Sequence, residues 1–165
     1  MSGQRIQLDQ PLVDGRQSET ALRVWRGAAR LLRQLRFACV GELTLASGRR
    51  ADIAAIGPKG EIWIVEVKSS LADLRADSKW PDYRLHCDRL FFATHADVPA
   101  EVFPPDAGLI LSDGFGAEIL RQAPEHRLPA ATRKAVLLRF AQSAALRLHD
   151  LHDPDARAAT GYGVL

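Results

Sequence analysis

Cysteine and methionine are scarce in this 165-residue chain, which has two of the former and one of the latter. Cys39 and Cys87 lie far apart and belong to no CxxC pair, so neither a disulfide framework nor a thiolate zinc site is expected, and reduced intracellular thiols are the simplest reading. Met1 to Thr20 has no apolar run of the signal-peptide kind, and no stretch reaches the ~20 apolar residues of a membrane-spanning helix. A cytoplasmic protein without membrane contact is expected. Also missing are a GxxxxGK[ST] phosphate loop, a GxGxxG dinucleotide pattern and a GxSxG elbow. Their absence argues against nucleotide-driven work, dinucleotide redox chemistry and esterase chemistry. With no internal repeat and no linker, residues 1–165 are expected to form a single domain, large enough to bury roughly 70% of its unfolded surface.

Charge is present but unevenly placed. Residues 1–50 carry nine Lys or Arg against four acids and residues 119–165 seven against four, whereas residues 69–118 carry four against nine. A basic surface beside an acidic, metal-binding one would have this pattern, and so would ordinary solvated faces.

The first seventeen residues, with Pro11 and Gly15, read as an arm or loop. From Ser18 to about Phe37 a helix is indicated: Ser18 can cap it, Glu19 suits its first turn, and Ala21, Trp25, Ala28, Leu32 and Leu35 recur at helical spacing. On its other side Arg23, Arg26, Arg30 and Arg33 fall within about 80° of one another, a cationic stripe suited either to water or to phosphates. Strands are then expected over Val40–Leu45, Arg50–Ile56 and Glu61–Lys68, joined by turns at Ser47-Gly48 and Gly57-Pro58-Lys59-Gly60. Residues 69–89 read as one helix broken or bent near Pro81. Further strands are expected at Leu90–Thr94, Gly108–Ser112 and Ala117–Leu120, with a loop or short turn at Ala100–Pro105. A long helix over about Ala130–His149 follows Pro129, and the tail from 154 to 165 is expected to be flexible, leaving 18–153 as the core.

The informative residues are polar ones where a strand should be apolar. In Glu61–Lys68 the period of two sets Ile62, Ile64, Glu66 and Lys68 on one face and Trp63, Val65 and Val67 on the other. A carboxylate and an ammonium in a half-buried sheet each cost several kcal/mol unless paired or coordinating something. The short connection between the two strands brings Asp52 opposite about residues 65 to 67, within reach of Glu66. Two such carboxylates repel unless a cation lies between them, and Mg²⁺ or Mn²⁺ is what they would recruit. Lys68 could then orient a water or meet charge developing on a phosphate; alternatively it simply neutralises one of the acids.

The segment Gly48-Arg49-Arg50-Ala51-Asp52-Ile53 with Glu61-Ile62-Trp63-Ile64-Val65-Glu66-Val67-Lys68-Ser69-Ser70 resembles the core of the PD-(D/E)XK nuclease superfamily. Together with Asp77-Ser78-Lys79-Trp80-Pro81-Asp82-Tyr83, Cys87-Asp88-Arg89-Leu90-Phe91-Phe92-Ala93 and Ala107-Gly108-Leu109-Ile110, it resembles more narrowly the MmcB family, bacterial proteins linked to DNA repair as endonucleases. The resemblance runs from about Ser18 to Ala144. It implies an α/β fold with a restriction-endonuclease-like three-layer α/β/α core and a central mixed sheet of four to five strands. It also implies that Asp52, Glu66 and the Val67 carbonyl hold Mg²⁺ or Mn²⁺, and that Lys68 assists the nucleophile. An additional acid near the first helix is matched by Glu42, with Glu19 as the alternative. The superfamily's proline is replaced by Ala51.

The expected activity is metal-dependent DNA endonuclease cleavage in DNA repair, on branched, damaged or single-stranded DNA, with DNA repair proteins as further partners. Candidate DNA contacts are Arg23, Arg26, Arg30, Arg33, Arg49, Arg50, Lys79, Trp80 and Tyr83, with Trp80 more readily read as core. The alternative is a catalytically weak or inactive nuclease-like module that binds DNA or a repair partner.

Overall fold

The computed structural model describes residues 18–160, so the arm expected over 1–17 lies outside the described residues. Helix α1 (Glu19–Gln34) starts where the Ser18 hydroxyl accepts the Ala21 N–H at 3.1 Å, satisfying one of the amides that a helix start leaves without a partner. Past its C-cap, Leu35, Arg36 has a φ of 66°, and the Phe37 N–H reaches back to the Leu32 carbonyl at 2.8 Å. This is a left-handed cap of the kind usually given to glycine, followed by an apolar residue that folds onto the core. Arg36→Gly is therefore expected to add roughly 0.5–1 kcal/mol of stability, seen as a higher urea midpoint at unchanged slope.

Strands β1 (Ala38–Thr44), β2 (Arg50–Ile56) and β3 (Ile62–Val67) form an antiparallel meander. β4 (Arg89–Thr94) and β5 (Gly108–Ser112) continue parallel to β3, and β6 (Ala117–Arg121) returns antiparallel along β5. The sheet therefore has six strands in chain order, which corrects the count of four to five. Each strand follows from its own local pattern; the smaller count came with the resemblance. In the edge strand β6, Ala117 and Ile119 pack beneath α1 while Glu118 and Leu120 are exposed.

The segment expected as one bent helix is two pieces, α2 (Leu71–Ala76) and a 3₁₀ turn over Trp80–His86. Pro81 lacks the N–H that a continuous helix requires and sits instead in the first turn of the second piece. The long helix α3 (Ala130–His152) begins after Pro129 as expected and runs three residues further. Pro154–Thr160 forms a short helix, α4, where a flexible tail was expected; proline suits a first helical position, where no N–H bond is lost. Residues 161–165 lie outside the described residues.

Helix α1 covers one face of the sheet, burying Val24, Ala28 and Leu32 against Ile53, Val65, Phe91 and Ile110. On the other face α3 and the 3₁₀ turn set Val136 and Tyr83 among Val40, Leu43, Ala54, Ile64 and Leu90. A further patch of Leu74, Phe92, Phe103 and Leu109 completes that side. The alternation of Phe91 and Phe92 between the two layers is the period of two made visible.

Candidate active site at the β2–β3 fork

Backbone pairing between β2 and β3 runs from Ile56/Ile62 to Ile53/Val65 and stops. One residue further the register sets Asp52 opposite Glu66, and carboxylates replace the ladder. Glu66 Oε1 accepts the Asp52 N–H at 3.2 Å, and Asp52 Oδ2 accepts the Val67 N–H at 2.8 Å. Each acid thus holds the other strand by one oxygen. Among the described residues, no hydrogen bond engages Asp52 Oδ1 or Glu66 Oε2.

Glu66 is 3% exposed, and burial, followed by the neighbouring Asp52 charge, holds its carboxyl well above the usual carboxylate range. Burial likewise raises Asp52 to about 6, against the hydrogen bond from Val67 and the attraction of Lys68. The pair favours a proton or a cation over two bare charges, as carboxylates crowded in a low-dielectric site must. Among the described residues no group of three or more His, Cys, Asp or Glu is arranged to hold a metal. The available set, two carboxylates with one uncommitted oxygen each, fits Mg²⁺ or Mn²⁺, which keeps several waters and uses one or two carboxylates alongside substrate phosphates.

Lys68 continues β3 beyond its last paired residue. Its N–H donates to the Ala93 carbonyl at 2.9 Å, and its carbonyl accepts the Thr94 hydroxyl at 2.8 Å, so the backbone is clamped by β4. The ammonium lies 2.7 Å from Asp77 Oδ2. Burial alone would lower the Lys68 pKa, but the bond to Asp77 and the charges of Asp77, Glu66 and Asp52 outweigh it and hold it above the ordinary value. Lys68 is therefore held as a cationic hydrogen-bond donor.

Two aromatic residues hold β2 from opposite layers. Trp25 on α1 donates its indole N–H to the Asp52 carbonyl at 3.1 Å, and Tyr83 on the 3₁₀ turn donates its hydroxyl to the Arg50 carbonyl at 3.0 Å. Asp52 is thus fixed through its carbonyl, its N–H and its side chain. Sequence reasoning missed Asp77 and Trp25 as positioning residues: Trp25 carries the ordinary signal of a core helix, and Asp77 that of a polar residue in the stretch read as a bent helix.

The other expected residues are distributed as follows. Glu42 in β1 falls between the pairs Gly41/Ile53 and Leu43/Ala51, in the row of Asp52 and Glu66. Its φ of 55° departs from the strand, and its carboxylate lies 2.5 Å from Arg50. It nonetheless raises the Asp52 pKa through space. Glu19 stays exposed in the first turn of α1. Arg49 meets Asp82 at 2.8 Å. Lys79 is exposed, whereas Tyr83 is buried. Trp80 packs edge-on against Phe92 at 5.5 Å beneath the Arg84 guanidinium. Arg23, Arg26, Arg30 and Arg33 are all exposed along the outer face of α1, and Arg30 donates to the Phe115 carbonyl at 2.9 Å.

A family model described as DNA repair protein MmcB-like matches residues 8–155. The chain belongs to the MmcB-like DNA repair protein family. It is also similar to the solved structure of a protein of unknown function from Silicibacter pomeroyi, at 44% sequence identity and a TM-score of 0.81, over 90% of this chain and 98% of that one. No curated protein matches it.

In this MmcB-like chain, burial pushes the Cys39 thiol up to about 11 and that of Cys87 up to about 12, so neither serves as a nucleophile near neutral pH. Two surface grooves run beside α3, one lined by Leu128, Leu137 and Ala141 and the other by Leu85, His86 and Val136, and neither reaches Asp52 or Glu66. No helix among the described residues is long and apolar enough to cross a membrane.

Proposed function

We propose that the β2–β3 fork is the catalytic centre of a metal-dependent DNA endonuclease acting in DNA repair. The observation that carries this reading is the pair of carboxylates, each with one oxygen tied to the opposite strand and one uncommitted, beside a clamped lysine ammonium. Asp52 and Glu66, with the Val67 carbonyl, would hold Mg²⁺ or Mn²⁺. When bound, such an ion polarises a phosphate and acidifies a water. Lys68 supplies a fixed positive charge and N–H donors for the phosphate oxygens, stronger where the charge developing toward a dianionic phosphorane is larger. Trp25 and Tyr83 keep β2 from moving as substrate arrives. The DNA repair family supports DNA as the substrate class.

The test is calorimetric titration with Mn²⁺, followed by a cleavage assay on branched and damaged DNAs in Mg²⁺. Saturable binding is expected in wild type and not in Asp52→Asn. Cleavage is expected to fall by at least ~10³ in Glu66→Gln, and by ~10²–10³ in Lys68→Ala with Mn²⁺ binding retained. Equal, trace-level cleavage in wild type and Glu66→Gln sinks the proposal. One observation favours the second reading, a nuclease-like module that binds DNA or a repair partner without cutting it: the Lys68 ammonium already has a partner in Asp77. DNA binding without Mn²⁺ binding in wild type would establish that reading instead.

A further inference from the structure

At the end of β5 the chain makes a four-residue turn, Asp113-Gly114-Phe115-Gly116, before entering β6. Phe115 at its tip is 73% exposed, the most exposed of the large apolar side chains among the described residues. The turn that carries it is tightly bonded. Asp113 Oδ1 accepts the N–H groups of both Phe115 and Gly116 at 2.8 Å, and the Asp113 N–H closes on the Gly116 carbonyl at 3.2 Å. The Gly114 N–H donates to the Ser112 hydroxyl at 3.2 Å, with Gly114 at φ 90°, a conformation that favours glycine. Arg30 holds the Phe115 carbonyl from α1. Helix and turn touch so closely that a Cβ on Gly27 would stand 2.0 Å from the Ser112 hydroxyl and 2.5 Å from the Gly116 carbonyl. An aromatic ring is therefore presented to water from a rigid support, with its loss of backbone freedom already met by folding.

Its surroundings are cationic. Arg23 lies against Gly114, Arg30 is bonded to the turn, and Arg26 and Arg33 extend the row along the exposed face of α1. Among the described residues Arg26 and Arg33 have no ion-pair partner. The acid of the turn, Asp113, is engaged by backbone N–H groups, and Glu118 stands on the sheet face away from Ala117 and Ile119, which pack with α1. Position completes the case. β3, β4 and β5 are parallel, so the turn after Ser112 follows the same ends of the strands that carry Glu66 and Lys68, two strands across and on the α1 side of the sheet.

We propose that Phe115 is a stacking platform for an unpaired DNA base, flanked by phosphate contacts from Arg23, Arg26 and Arg33. It directs the centre toward DNA with a single-stranded or branched segment. The inference rests on the DNA reading above. Exposed aromatics among cations are the recognition elements for single strands because every base has a π-face and every linkage a charge, whereas duplex bases are already stacked.

The test uses full-length protein in EDTA with three DNAs: a duplex, a single strand, and a splayed junction carrying 2-aminopurine at its unpaired position. Phe115→Ala is expected to weaken binding of the single strand and the junction about tenfold and the duplex less than twofold, while Phe115→Trp retains affinity. Wild type should quench the 2-aminopurine and Phe115→Ala should not. Arg26→Ala is expected to weaken all three DNAs alike and to flatten the salt dependence. Because the ring is exposed, an unchanged melting temperature in Phe115→Ala will show that the fold is intact. Equal binding of all three DNAs by wild type and Phe115→Ala overturns the assignment while leaving the DNA reading standing. So does an effect of the variant on self-association alone. Failure of wild type to bind any of the three overturns the DNA reading, and the assignment with it.

Discussion

Glu66→Gln is expected to make the metal-free protein more stable while removing the proposed Mn²⁺ binding. In the folded chain Glu66 is buried beside Asp52, and both carboxyls are held above their ordinary values, chiefly by burial. A glutamine keeps an oxygen for the Asp52 N–H and replaces the second carboxylate oxygen by a neutral amide that can donate. The repulsion disappears without opening a cavity. We expect a gain of about 2 kcal/mol at pH 8 in EDTA, or roughly 4–8 °C in melting temperature for a chain of this length.

The pH dependence has a definite sign. An unfolded Asp52 ionises near 3.8, whereas in the folded chain it ionises near 6. Between those values the folded state holds the extra proton. Stability therefore falls as pH rises from about 4 past 6, and Glu66 extends the loss further upward. Glu66→Gln should flatten this limb, and saturating Mn²⁺ should restore wild type at pH 8 by binding only the folded state. Scanning calorimetry at pH 5 and pH 8, with and without Mn²⁺, reads all of these effects. A wild type as stable at pH 8 as at pH 5 would show that the two acids are not in conflict.

The largest loss is expected far from the fork, at Asp88. This carboxylate is 3% exposed and accepts four hydrogen bonds: the N–H groups of Ile62 at 2.8 Å and Leu128 at 2.9 Å, and both arms of Arg133 at 2.6 and 2.7 Å. It ties the start of β3 to the segment entering α3. Burial alone would raise its pKa, but Arg133 and the two backbone donors outweigh that and hold it below the ordinary value. Asp88→Ala leaves a guanidinium and two interior amides without their acceptor and is expected to cost about 3–5 kcal/mol, lowering the melting temperature by roughly 10 °C. Here the sign is opposite to that of Asp52. The contribution of Asp88 is complete above its unfolded value near 3.8 and is lost as pH falls through its lower folded value. Asp88→Asn should therefore weaken the protein at pH 6 while blunting its acid unfolding. A melting temperature within 2 °C of wild type in Asp88→Ala would refute this role.

Much of the fork was legible in the sequence because strand geometry is local. The period of two puts Glu66 on the face opposite Val65 and Val67 whatever surrounds it, and a short hairpin allows few registers, so Asp52 had to arrive opposite Glu66. The capping by Ser18 and the apolar spacing of α1 are local in the same sense. The two pieces between Ser70 and His86 were less legible, because Pro81 marks a break without saying which conformation replaces the helix.

The sequence by itself determined where the six strands lie to within two residues, which faces their side chains occupy, and hence that two carboxylates and a lysine gather at one end of β3. Only the tertiary structure decided their partners. Lys68 is held by Asp77, Glu42 turns to Arg50, Asp88 grips Arg133 from 45 residues away, and Arg30 braces the turn that exposes Phe115. The difference is physical. Which way a side chain points follows from a few backbone dihedrals, whereas which charge it meets depends on how separate elements dock, and docking is set by the apolar contacts of the whole core.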